Sequence, residues 1–348
     1  MATAVTVPTL IIDNVDPDHK ARELGVMNKH STEKACASHA DVFTTVSDIT
    51  SYEAERLLGQ KPDTVVYNGI DMKLFPDRER LQNLKPKMKE NLCRLAEMVS
   101  GRRYLEEMEK VNIFFTSGRY EFHNKGIDMF IDALKRLDDD LKDSGDDSKV
   151  IAFFFIPNGV KEVNAIFKEN KEKYRSSREV VVSGDTEVFS THDLIDDNDQ
   201  IMVSLREKGL TGSESNVRCI LVPVYLNHGD EVLDTKYYDI PSGCDLGVFT
   251  SSYEPWGYTP QESLAVGTPT ITSDLAGFGR YVEKNKNDAV DVIPIKDNEF
   301  SSASELLKDS MKSAINRKDD LTDSCLTIAE STQWKNFVKN YIDAYNKY

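Results

Sequence analysis

No long apolar run interrupts the 348 residues, so the sequence gives no reason to expect a membrane-spanning helix. Positive charge is scarce as well. Forty-three Lys and Arg stand against 59 Asp and Glu, a formal net charge of −16. Nucleic acid and anionic membrane are therefore poor partners, because the field of the whole chain would repel both. Cysteines number five (Cys36, Cys93, Cys219, Cys244 and Cys325), an odd and scattered set with no paired metal-ligand spacing. That pattern suits buried free thiols in a reducing, cytoplasmic compartment better than a disulfide framework. The six histidines have no Ser or Cys nucleophile signature beside them, which argues against a hydrolase triad, and no His/Asp/Glu cluster calls for a metal. The opening MATAVTVPTLII lacks a basic segment and a cleavage site, so it does not read as a secretory signal.

With 39% apolar and 29% charged residues, the chain can build a large core and more than one domain. In order, His19 to His39 is helical in composition. Val42 to Val46, Ser51 to Leu58 and Thr64 to Tyr67 then read as strand, helix and strand, followed by the turn Asn68-Gly69. Asp77 to Lys110 spaces Leu81, Leu84, Met88, Leu92, Leu95 and Met98 three and four apart, an amphipathic pattern that Pro86 should split into two helices. From Val111 an α/β rhythm sets in: strand Asn112 to Thr116, helix Lys125 to Leu137, an acidic turn Asp138 to Asp147, and a continuous apolar strand Lys149 to Ile156. Residues 158–215 read as a helical insertion with exposed loops and carry no functional assignment. Strand Arg218 to Tyr225, strand Ala289 to Ile295 and helix Ser302 to Ile315 follow. The last segment, Ser331 to Tyr348, has Trp334, Phe337, Val338, Tyr341, Ile342 and Tyr345 at helical spacing.

The most informative stretch is GCDLGVFTSSYEPWGYTPQESLAVGTPTITSDLAGFGRY, Gly243 to Tyr281. Leu246 to Phe249 is a strand, and Glu254 lies just past its carboxyl end. Thr259-Pro260-Gln261-Glu262 reads as a helix start with Thr259 at the N-cap and Glu262 closing a capping box. Gly267 ends that helix and Thr268 to Thr272 forms the next strand. Strand-to-helix turns at the carboxyl edge of a parallel sheet bind ligands, and a helix N-terminus there suits a phosphate. Arg119 and Lys125, six residues apart in the loop after strand Asn112 to Thr116, can both face one crevice. A guanidinium fork and an ammonium are the groups a diphosphate needs. The residues alone also allow Arg119 to pair with Glu121 and Lys125 to be solvated, and they leave Glu262 a purely capping role.

Glu254 and Glu262, with seven residues between them, resemble the paired glutamates of retaining glycosyltransferases with two Rossmann-like domains. The string YEPWGYTPQES followed by DLAGFG resembles glycogen synthase, as do ADVFTTVSDITSYEAERLLGQKPDTVVYNGIDM (Ala40 to Met72) and FFTSGRYEFHNKGIDMFIDALKRL (Phe114 to Leu137). The resemblance implies an α/β fold of the GT-B type. Its carboxyl-terminal Rossmann-like parallel-sheet domain binds the nucleotide sugar, and a remnant of the first Rossmann-like domain precedes it. The expected division is 1–75 for that remnant, 76–110 for a helical connector, 111–330 for the nucleotide-sugar domain and 331–348 for a helix that crosses back, although packing on its own domain fits the spacing equally. The implied reaction moves glucose from UDP-glucose, with ADP-glucose as the alternative donor, to an α-1,4-glucan such as glycogen, with retention and without a metal or other cofactor. Arg119 and Lys125 then hold the donor diphosphate, Glu254 sits beneath the sugar and Glu262 meets the ribose. The N–H groups of Gly257, Tyr258 and Thr259 face the distal phosphate.

Trp256 is expected as a loop anchor, with sugar stacking as the other reading, and Gly277 and Gly279 as the shapers of a tight loop beside the site. His123 and His228 are taken as surface histidines. The family's Gly-rich loop and its His-Ala-Thr segment have no counterpart in the roughly 40 residues before Val42. Only Lys312, Arg317 and Lys318 stand where regulated members have an arginine-rich helix, so control by a sugar phosphate is not expected. A catalytically silent nucleotide- or glucan-binding module is the competing reading, and a sucrose-synthase-like transferase a third. Nothing in the sequence excludes a homo-oligomer.

Overall fold

The computed structural model describes residues 15–177, 189–210, 215–317 and 319–346. Helix α1 (Pro17–Glu23) and helix α2 (Met27–His39) divide at Gly25 what the sequence reads as one helix. Strand β1 (Thr44–Thr45) leads into α3 (Asp48–Glu53), which passes directly into a π-helical turn, Ala54–Leu58. Strand β2 (Thr64–Val65) pairs in parallel with β1, completing one small βαβ unit.

Helix α4 (Arg78–Ser100) follows without a break, and Pro86 lies inside it. The expectation of two helices is therefore corrected. An interior proline costs about 3 kcal/mol, and here it is outweighed because Leu81, Met88, Leu92, Leu95, Ala96 and Val99 are all buried on one face.

The second unit is a six-stranded sheet built from β3 (Val111–Ser117), β4 (Lys149–Phe155), β7 (Val217–Leu221), β8 (Leu246–Phe249), β9 (Thr270–Ser273) and β10 (Val290–Ile293). Every pairing is parallel and the spatial order is β10-β9-β8-β3-β4-β7. The chain thus builds outward from β3 in one direction, returns, and builds outward from β8 in the other. The order reverses between β3 and β8, which is where open α/β sheets form their ligand crevice.

The central strands are buried on both faces and read as apolar throughout for that reason. Phe114, Val150, Ala152 and Phe154 pack under α5 (Ile127–Ser144) and α10 (Phe300–Asn316). The alternate residues Ile113, Phe115, Ile151, Phe153 and Phe155 pack under α4 and the 3₁₀ segment Tyr237–Gly243. Helix α5 takes in Asp138, which the sequence reads as the start of an acidic turn. Its carboxylate is buried and accepts from Ser215 Oγ (3.0 Å) and the Asn216 amide (2.7 Å), so the negative charge staples α5 to the start of β7.

Within the stretch read as a helical insertion, the described part holds a two-stranded antiparallel ribbon, β5 (Val160–Val163) with β6 (His192–Leu194), as well as helices α6 (Ala165–Ser177) and α7 (Gln200–Glu207). Residues 178–188 and 211–214 of that stretch, and Lys318, lie outside the described residues. Lys312 pairs with Asp140 at 3.2 Å.

A third cluster joins the two units. Trp256, at 2% exposure, is packed among Tyr67, Phe278, Tyr281 and Phe337, with its indole N–H donating to Gln261 Oε1 at 2.8 Å. It is an anchor, and no face of it is open to a sugar. Helices α8 (Tyr258–Ala265), α9 (Gly277–Lys284) and α11 (Thr322–Ser331) contribute the remaining walls of this cluster. The last helix, α12 (Trp334–Tyr345), supplies Phe337 to it and also reaches the residue after β2, where the Tyr341 hydroxyl donates to the Val66 carbonyl at 3.2 Å. Phe337→Ala should therefore lower stability by about 3–5 kcal/mol. Val338→Ala, on the 44% exposed face of the same helix, should change it by no more than about 0.5 kcal/mol. Chemical denaturation of the two variants checks the contrast.

Candidate functional site

The loops that leave β3 and β8 are neighbours because their strands are neighbours, and they are stitched together along their length. The Ser252 amide donates to the Asn124 carbonyl at 2.8 Å, and Ser252 Oγ donates to the His123 carbonyl at 3.2 Å. Gly126 makes the close approach feasible. Its φ is +65°, and a Cβ there would lie 2.0 Å from the Thr250 carbonyl oxygen.

This stitching brings three of the sequence-predicted residues together. Lys125 Nζ and a Glu254 carboxylate oxygen form an ion pair between half-buried side chains. Arg119 lies on the same cavity, its side chain 78% exposed and its Nε 3.2 Å from Glu121 Oε1. Asn124 Nδ2 donates to the other oxygen of Glu121 at 2.6 Å. The local pairing of Arg119 with Glu121, one of the two readings allowed by sequence, is thus what the fold contains. It leaves most of the guanidinium facing solvent over the crevice.

The cavity has a volume of about 360 Å³. One wall is formed by Arg119, Lys125, Tyr253 and Glu254, and the opposite wall by Thr44, Thr45, Glu53 and Leu57 of the first unit. Glu254 is held by its backbone, since its amide donates to the Leu275 carbonyl (3.1 Å) and its carbonyl accepts from the Gly277 amide (3.0 Å).

The remaining predicted residues lie at the start of α8. That helix begins at Tyr258 with Gly257 at the N-cap and no side-chain cap. The expected cap at Thr259 and the capping box with Glu262 are therefore corrected. Thr259 and Pro260 lie within the first turn, where the N–H that proline lacks would have had no helical partner. Two consequences follow. The first N–H groups of α8, those of Tyr258 and Thr259, are left without a side-chain acceptor from Gly257. Glu262, one turn in, is freed from capping. Its carboxyl is pushed up to about 7 by burial, with the Tyr238 hydroxyl beside it partly opposing the rise. Gly277 and Gly279 form the first turn of α9 and not a separate loop, another correction.

Sequence reasoning missed two groups. Tyr237 and Tyr238 stand beside Glu262, with the Tyr237 hydroxyl 2.8 Å from Ser117 Oγ at the end of β3. Glu53 faces the cavity from α3 and accepts a 2.6 Å hydrogen bond from the Tyr253 hydroxyl, and its carboxyl is pushed up to about 7 by burial. No local spacing announces either, because each depends on which strands end side by side. His123 and His228 are exposed; the first pairs with Asp128 at 2.6 Å. Among the described residues, no group of three or more His, Cys, Asp or Glu side chains stands together as a metal site. No helix among them is long and apolar enough to cross a membrane.

Both raised carboxyls bear on stability. Glu53 and Glu262 keep a proton in the fold that the unfolded chain, with its ordinary glutamate value of 4.5, has already released. Stability is therefore lost as pH rises from about 4.5 through 7. In Glu53→Gln/Glu262→Gln the melting temperature should fall less across that window than in the wild type; parallel curves would remove the burial argument.

The sequence matches the glycogen synthase family model over residues 8–171 and 160–344. It is 35% identical to glycogen [starch] synthase isoform 2 of Saccharomyces cerevisiae, in an alignment covering 78% of this chain and 46% of that protein. It is 33% identical to the human liver glycogen [starch] synthase, over 80% of this chain and 46% of that protein. The chain spans about half the length of the curated relatives it matches. Among solved structures, sucrose-phosphate synthase from Thermosynechococcus elongatus superposes with a TM-score of 0.54 at 14% identity, covering 98% of this chain and 66% of that one. The Anabaena protein HepE, solved with UDP and glucose, superposes with a TM-score of 0.52 at 13% identity, over 96% and 69%. These likenesses are of fold, and the fold is the GT-B type of glycosyltransferases. By its sequence match and its sheet, the chain belongs to the glycogen synthase family.

Proposed function

We propose that this chain carries the donor site of a retaining glucosyltransferase that moves glucose from UDP-glucose to the non-reducing end of an α-1,4-glucan. The observation that carries the reading is the convergence of Arg119, Lys125 and Glu254 on one cavity at the point where the strand order reverses. Two cations answer the two charges of a diphosphate in a chain whose overall field is negative, and around Lys125, the more buried of the two, water screens less than in bulk. Glu254, neutralised by Lys125 when no donor is present, becomes the acceptor for sugar hydroxyls once the ammonium is shared with a phosphate. It then faces the positive charge that develops at the anomeric carbon. The distal phosphate meets the start of α8, where the N–H groups of Gly257, Tyr258 and Thr259 and the helix dipole add to the two side chains. Glu262, with Tyr238 at its side, accepts from the ribose hydroxyls. In this reading Arg119, Lys125 and the helix end take the place a divalent ion fills in other transferases, so transfer proceeds without metal and a chelator leaves it unchanged. A cytoplasmic enzyme acting on glycogen fits the same picture, and self-association into a homo-oligomer is compatible with it.

Isothermal titration with UDP tests the reading. Arg119→Ala and Lys125→Ala should each weaken binding by about ten- to hundredfold, in line with the loss of a charge-assisted contact of about 1.5–3 kcal/mol. His123→Ala should bind as the wild type does. Unchanged affinity in both site variants would defeat the proposal. Incorporation of labelled glucose into glycogen by the purified chain separates a transferase from a binding module that does not turn over.

A further inference from the structure

Helix α3 reaches the surroundings of Glu254 from both ends. At its start, Ser47 is fully buried and caps the helix by accepting from the Thr50 amide at 3.2 Å, while the Thr50 hydroxyl accepts from the Ser47 amide. The same Ser47 packs against Gly277 so closely that a Cβ at Gly277 would stand 2.6 Å from Ser47 Cβ and 2.3 Å from the Pro255 carbonyl oxygen. The Gly277 amide in turn donates to the Glu254 carbonyl at 3.0 Å. At the far end of α3, Glu53 accepts the 2.6 Å bond from Tyr253, the residue immediately before Glu254. Helix α3 and its cap thus hold Tyr253, the residue before the candidate acid, and pack against Gly277, whose amide bonds the acid's own carbonyl, from the opposite wall of the cavity.

The helix changes register at this point. The π-helical turn starts at Ala54, directly after Glu53, and π-turns cost hydrogen-bond geometry that proteins tend to keep where a side chain must be aimed. Here that side chain is Glu53, which lines the cavity, and among the described residues Arg119 pairs with Glu121 and Lys125 with Glu254 instead. Among those residues the hydrogen-bond partner of Glu53 is the Tyr253 hydroxyl.

We infer that Glu53 is a positioning residue for the transfer reaction: through Tyr253 it fixes the loop that presents Glu254, so that the first unit sets the aim of the acid carried by the second. The inference rests on the proposed donor site for its chemistry and on the two contacts of α3 for its geometry. It assigns Glu53 no contact with the reacting atoms. A misplacement of the acid by about 1 Å is enough to cost on the order of a hundredfold in rate, whereas the diphosphate contacts of Arg119 and Lys125 come from another loop and need not change.

The test uses the full chain with three variants. Glu53→Ala and Tyr253→Phe remove the bond; Glu53→Gln keeps an oxygen to accept it. The expected result is a fall in kcat of about ten- to hundredfold for the first two, with UDP affinity by titration within twofold of wild type and near wild-type kcat for Glu53→Gln. A kcat unchanged in Glu53→Ala overturns the inference. A Glu53→Gln variant as slow as Glu53→Ala also overturns it, because the charge would then be acting directly. Amide exchange gives a readout that needs no ligand. The Glu254 and Gly277 amides should exchange at least tenfold faster in Glu53→Ala and Tyr253→Phe and at the wild-type rate in Glu53→Gln; unchanged exchange in the first two overturns the inference. Failure of the wild type to bind UDP would instead defeat the proposed function, leaving the exchange result to decide the positioning role alone.

Discussion

The ion pair between Lys125 and Glu254 is the contact on which the site depends, and it exists because of strand order. The two residues are 129 positions apart in sequence. They meet only because β3 and β8, parallel neighbours at the reversal of the sheet, deliver their following loops to the same edge. Half-buried pairs of this kind add little to stability, since the loss of hydration offsets most of the attraction. In the proposed function the pair does something else. There it would keep a cation and an acid at fixed separation and charge-compensated until an anion shares the cation.

Around that pair the structure is stiff where it must be. The Glu254 loop is bound on one side to the β3 loop through Ser252, and below to the turn before α9. Its next residue but one, Trp256, is sunk in an aromatic cluster to which Tyr67, α9 and α12 all contribute. The first unit, though small, takes part in this by way of α3 and Tyr67. The site is therefore a product of both units and not of the six-stranded sheet alone.

Much of this was legible in the sequence for definite reasons. A fully buried parallel strand has to be apolar at every position, so Lys149 to Ile156 announces itself, and a strand followed by a Gly-containing loop and an amphipathic run places Arg119 and Lys125 at a carboxyl edge. Strand order is not written in periodicity. The meeting of Lys125 with Glu254 came from the family resemblance, and the closure of the cavity by Glu53 was not foreseen. Local patterns misled where a tertiary contact prevailed. Thr259 and Glu262 spell a capping box, but the helix starts two residues earlier, capped at Gly257, and Glu262 turns toward Tyr238. Pro86 spells a break, yet the buried face of α4 carries the helix through it. Asp138 spells a turn, yet its buried bonds to the start of β7 keep it in α5.

The central claim is that cations from one loop and an acid from its neighbour cradle a sugar diphosphate at the reversal of the sheet. A crystal structure of the chain grown with UDP-glucose tests this most directly. The account predicts the diphosphate within hydrogen-bonding reach of Arg119 and Lys125 and before the first turn of α8, with the hexose over Glu254. A nucleotide bound elsewhere, with the Lys125–Glu254 pair undisturbed and the cavity between α3 and the two loops empty of ligand, would contradict it.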